Sequence, residues 1–206
     1  MIFTLFIKRP RPVLFLLVLD RILPPPRVST PKAQVRRFGP STMSGSNLQG
    51  RWMPSSVTEE DIKKLREARY LTAEISHRLP ARGQVIPTPE PGESVVFISH
   101  FLRGLGLVLD PFVRGLMFYY GLDFHDMAPD SILHISSFIV VCEAFLHVTP
   151  HFGLWFKTFN VEPKTINGRH AECGGAIINK GADAPWPKGS FPETSKLWQR
   201  EWFYIT

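Results

Sequence analysis

HFLRGLGLVLDPFVRGLMFYYGLDFH (residues 100–125) and FIVVCEAFLHVTPHFGLWFKTFNVEPK (residues 138–164) lie in a block, residues 95–160, that holds 13 of the chain's 25 aromatic residues and only 8 charges. So many rings with so few charges mark a packed core. Two helix starts inside it share one device: Asp110 precedes Pro111, and Thr149 precedes Pro150. An Asp or Thr N-cap accepts orphan N–H groups, and proline at the first helical position gives up no hydrogen bond. Helices are therefore expected from Pro111 and Pro150, with Asp110 and Thr149 as caps. A third, over about 129–147, places Ile132, Ile135, Phe138, Ile139, Cys142 and Phe145 on one broad face. It is apolar almost all round, which predicts a central, buried helix. Glu143 inside it argues against a membrane span. The repeat FLRGL (101–105) and FVRGL (112–116) offers Arg103 and Arg114 as partners that would neutralise a buried Glu143.

Working outward, residues 56–59 read Ser-Val-Thr-Glu, the form of a capping box with Ser56 as cap; Thr58 with Asp61 is a competing start. An amphipathic helix of about 58–70 follows. Pro87, Pro89 and Pro91 make the stretch 80–93 a stiff connector and a hinge ahead of the core, while 95–98 suits a short strand or a helix start. Beyond residue 160 glycines and prolines mark loops around two strand-like islands, 176–178 and 202–205. The second stands last in the chain, which reads as an unpaired apolar edge and a truncated domain. The fold class expected is mainly α (α+β): a compact helical core at about 56–160 and a small, irregular, β-containing part at 161–206.

Residues 1–42 differ in texture. They carry eight basic residues against Asp20, whereas the rest holds sixteen basic and seventeen acidic ones. The +6 net charge thus belongs to the leader. The remainder is nearly neutral, so composition indicates no phosphate-tracking surface on the core. The apolar run 13–19 is too short to span a bilayer, which takes about 20 residues, and Asp20-Arg21 and three prolines follow it without a cleavage pattern. Residues 1–42 read as a disordered basic, proline-rich extension outside a domain that starts near Met43. Cys142 and Cys173 make no disulfide framework and favour an intracellular, reducing compartment.

Searches for chemistry return little. No Asp-Thr-Gly or Asp-Ser-Gly protease loop, adjacent polymerase aspartates or phosphate loop occurs. Two distant cysteines cannot build a zinc knuckle. A looser set of Cys142, His147, His151, His170 and Cys173 is split by Pro150 and by an apolar helix face. Glu143 and His147, four apart, read as a polar contact rather than an acid–base pair. Ser76-His77 and Ser99-His100 lack a third partner. No catalytic, cofactor or metal residue is assigned. Asp123, Asp126 and Asp130 gather on one loop.

The two opening stretches, continued by AECGGAIINK (171–180), WPKGSF (186–191) and WFYIT (202–206), resemble the gypsy-type transposon domain of many plant retroelement proteins over roughly residues 43–206. The resemblance implies a transposable-element origin and supplies no reaction, ligand or site residues. The function expected is a non-catalytic, gag-like or accessory module that contacts itself or another protein of the same element. Nucleic acid through the core and a membrane are not expected. The alternative is a nucleic-acid-binding or transposase-like protein.

Overall fold

The computed structural model describes residues 50–106, 110–184, 186 and 197–206, all within one unit, Arg37–Thr206. The leader and the start near Met43 lie outside the described residues. Element order is α1 (Glu59–Glu67), β1 (His77–Arg78), β2 (Ser94–Phe97), α2 (Ile98–Leu102), α3 (Pro111–Tyr120), a 3-10 turn (Phe124–Asp126), α4 (Pro129–Val140), a π-helical turn (Val141–Leu146), α5 (Phe152–Thr158), β3 (Phe159–Pro163), β4 (Thr165–Ile166), β5 (Arg169–His170), β6 (Ala176–Lys180), a second 3-10 turn (Trp198–Arg200) and β7 (Trp202–Ile205).

This is a mixed α/β fold and corrects the expected helix-dominated one: helix covers 38% and strand 17% of the described residues, in five helices and several small sheets. The largest departure lies at the last strand. β7 is the middle of a three-stranded antiparallel sheet ordered β1-β7-β2, paired with both neighbours, so the expected unpaired edge is a central strand instead. Its alternating side chains feed two cores, as the period of two requires. Phe203 and Ile205 pack with Ile62, Leu65, Val96 and Phe101 from α1, β2 and α2. Trp202 and Tyr204 pack on the other face with Phe97, Cys173 and Trp198. A third core joins Phe112 and Leu116 of α3, Ile132, Ile135 and Phe138 of α4, Trp155 of α5, and Phe159 and Ile178 of the β3–β6 pair.

Two of the expected caps move. Thr58, not Ser56, caps α1: its side chain accepts from the Asp61 N–H while Asp61 reaches back to the Thr58 N–H at 3.0 Å. Ser56 instead donates to the Arg200 carbonyl, 3.1 Å away, and ties this segment to the end of the chain. α5 begins at Phe152, not Pro150, and its cap is His151, whose Nδ1 accepts from the Leu154 N–H at 3.2 Å. Thr149 is exposed, and buried Pro150 precedes the helix without entering it. Asp110 does cap α3: its carboxylate accepts from the Phe112 N–H at 2.7 Å ahead of Pro111.

α4 is also less central than its composition implies. Only Ile132, Ile135, Phe138 and, in the π-helical turn, Cys142 form its apolar buried stripe, and Phe145 is exposed. Glu143 is exposed as well, so no buried charge awaits Arg103 or Arg114. No helix among the described residues is long and apolar enough to cross a membrane.

Candidate interaction surface

Gly115 brings α3 and α5 close together. A Cβ there would stand 3.1 Å from the Phe152 ring, so only glycine lets the ring settle on the helix without displacement. Phe112, one turn earlier, meets Phe152, Trp155 and Phe138 at 5.2–5.6 Å between ring centroids and anchors the contact in the core. One turn later the same seam reaches the surface. Tyr119 touches Tyr120, Phe152 and Phe156 at 4.9–5.9 Å, and Phe156 also meets Tyr120.

The outer part of this ring cluster is uncovered. Phe156 is 44% exposed and Phe118, on the neighbouring stripe of α3, is 91% exposed. Both cations on these two helices, Arg114 and Lys157, are exposed beside the rings. A second apolar exposure follows the π-helical turn, with Phe145 64% exposed and Leu146 and Val148 also out in solvent. The chain there closes through His147 in left-handed geometry (φ 54°), and the Val148 N–H donates to the Cys142 carbonyl at 2.9 Å.

The proline-rich stretch is a clamped loop rather than the expected hinge. Gly83 and Gly92, both at positive φ, stand at its two turns. The Tyr204 hydroxyl accepts from the Thr88 N–H (2.9 Å) and from Gln84 Nε2 (3.0 Å), which also donates to the Thr88 hydroxyl (2.9 Å). Arg78 lies 3.8 Å over the Tyr204 ring and grips Glu93 with two nitrogens, the Nε bond being 2.7 Å. That hydrogen-bonded pair holds the Glu93 carboxyl below its usual range. Val85, Ile86, Pro89 and Glu90 stay exposed along the loop.

The groups with catalytic or ligand potential are scattered. Cys142 lies in the α3–α4–α5 core and Cys173 beside Trp198; burial pushes both thiols up, away from the reactive thiolate. His147, His151 and His170 are exposed and apart from them, so the looser Cys/His set is not assembled. His77 faces Glu59 at 3.0 Å, and Ser99 donates to Glu201 at 2.8 Å, not to its neighbour His100. His100 is wholly buried with Nε2 on the Met127 carbonyl at 2.9 Å, and burial lowers its pKa to about 4, so it is neutral at pH 7.

Among the described residues one metal-type group does form: ligand atoms of Asp123, His125 and Asp126 lie within 4.8 Å of one another. Of the aspartates gathered on this loop, Asp130 is not part of it. Asp126 already accepts from the Asp123 N–H at 2.8 Å, closing the 3-10 turn, and His125 lies 3.6 Å from Asp126 and beside Trp52. The sequence separates these three residues too little to hide them, but their role in the turn accounts for them.

Residues 95–163, from β2 through β3, match the family model described as "Putative gypsy type transposon". That stretch is similar to a gypsy-type transposon domain, and the aromatic seam of α3 and α5 lies wholly inside it. No curated protein and no solved structure matches the chain.

Proposed function

We propose that this retroelement-derived protein is a non-catalytic module that associates with itself, through the uncovered rings of α3 and α5. The observation that carries this reading is the exposure of Phe156 at the outer end of the ring seam and of Phe118 on the adjoining surface of α3. Burying such rings is worth about 1.5–3 kcal/mol each, and aromatic anchors near the centre of a contact supply much of its energy. The dispersal of His77, His100 and His151 into a contact with Glu59, a buried contact and a helix cap supports a role without catalysis.

Sedimentation velocity on the full chain tests it. The expected result is a sedimentation coefficient that rises with concentration in the wild type and is flat for Phe118→Ser/Phe156→Ser. A monomer at every concentration refutes self-association. Magnesium- or manganese-dependent DNA cleavage, or duplex binding much tighter than the non-specific range of about 10⁻⁴–10⁻⁶ M at physiological salt, would replace it with the nucleic-acid reading.

A further inference from the structure

We infer that the aromatic face of α3 and α5 in one copy takes the clamped proline-rich loop, residues 85–92, of a second copy; this rests on the self-association reading and names the segment bound.

The two surfaces are complementary in three respects. The first is ring against proline. Extended proline-rich segments dock on aromatic-lined surfaces because their backbone is already stiff and their rings are flat and apolar. The loop has prolines at alternate positions, 87, 89 and 91, and the face presents the Tyr119–Phe156 pair, with the exposed Phe118 next to Tyr119 in α3. The second is apolar area. The loop starts on Val85 and Ile86, 41% and 54% exposed, which no other described side chain covers fully. The third is charge. Glu90 is the single charged residue in 85–92, and both charges on α3 and α5 are the exposed cations Arg114 and Lys157.

The loop is also ready to bind. Tyr204 and Arg78 hold its backbone at Thr88, where the Arg78 guanidinium donates to the carbonyl at 3.3 Å, and Gln84 Nε2 donates to the Ile86 carbonyl at 3.1 Å. A segment held this way loses little conformational freedom on docking, which is where flexible peptides forfeit affinity. Face and loop are different surfaces, so each copy offers one of each. Such a contact either runs head to tail or closes as a reciprocal pair.

Two full-length variants test the inference by mixing. The face variant is Phe118→Ser/Phe156→Ser, and the loop variant is Ile86→Ser/Glu90→Lys. All four positions are exposed, and a melting temperature near that of the wild type confirms that each variant folds. Each alone should lose at least tenfold in self-affinity by sedimentation. An equimolar mixture, having one intact face and one intact loop, should recover a 1:1 complex. A synthetic peptide of residues 84–93 should compete with wild-type association. If the wild type associates and the loop variant associates equally well, or the mixture stays monomeric, the loop is not the occupant, while self-association stands. If the wild type never associates, the underlying reading fails first. Rescue of Glu90→Lys by Arg114→Glu/Lys157→Glu would fix the orientation of the pair; no gain from the charge exchange counts against the docking.

Discussion

Two four-residue stretches, Met-Phe-Tyr-Tyr at the end of α3 (117–120) and Trp-Phe-Tyr-Ile in β7 (202–205), are almost equal in composition and opposite in fate. All four side chains of β7 are buried, whereas Phe118 is the most exposed large apolar side chain among the described residues and Tyr119 and Tyr120 are half out. Composition does not decide between them. β7 has a strand on each edge and a layer on each face, so both sets of its alternating side chains are enclosed. Among the described residues α3 packs on one side, so its ring-rich end shows rings on the other. Aromatic density marks where surface will be buried by something; of these two stretches, the described layers enclose β7.

The contrast is broken most severely at β7. Phe203→Ala should cost about 3–5 kcal/mol, because a fully buried ring leaves a cavity between α1 and the sheet; urea denaturation measures it, and a loss under 1 kcal/mol would mean that β7 is not enclosed. Next comes His100, under the same sheet. Its folded pKa of about 4 lies below the unfolded value near 6.5, so the unfolded chain binds more protons between those limits. Stability should therefore be intact above pH 6.5 and decline by about 3 kcal/mol as pH falls to 4, and His100→Leu should flatten that slope. The Asp110→Ala change should cost about 0.5–2 kcal/mol, while Thr149→Ala should stay within about 0.5 kcal/mol because Thr149 caps nothing. Tyr204→Phe removes the acceptor for Thr88 and Gln84 and should cost about 1 kcal/mol; limited proteolysis should then cut first within residues 82–90. Smallest in stability is Phe118→Ser, within about 0.5 kcal/mol of wild type, although it should lower self-association. A large loss of stability there would mean that Phe118 is enclosed in the free protein.

Local signals in the sequence proved dependable where the physics is local. Asp110-Pro111 reads as a helix start and is one, and Thr58 with Asp61 forms the box that Ser56 was expected to head. The apolar islands at 176–178 and 202–205 lie in strands. What escaped was set by distance. Phe97 pairs with Trp202 about a hundred residues later, and no periodicity in either strand reveals its partner. Treating 202–205 as an edge followed from its place at the end of the chain, and the helix-dominated fold followed from giving β2 no partner. Glu143 was assigned to a buried helix because its neighbours are apolar, yet the π-helical turn carries it outward. The interaction surface was legible only as aromatic content; which rings stay outside depends on how α5 settles on Gly115, a feature of packing.

The central place of β7 also orders events in time. β1 and β2 pair with β7 and not with each other, so neither has a sheet to join until β7 exists. A ribosome adding roughly 5–20 residues per second makes about a hundred residues between β2 and β7, which takes on the order of 5–20 s. During that interval Val96 and Phe97 have no strand to cover them, whereas α3, α4 and α5 can already gather around Phe112 and Phe138. The nascent chain thus passes through a window in which its helical half is settled and its sheet half is open to chaperones, or to the same strands of a neighbouring chain on the polysome.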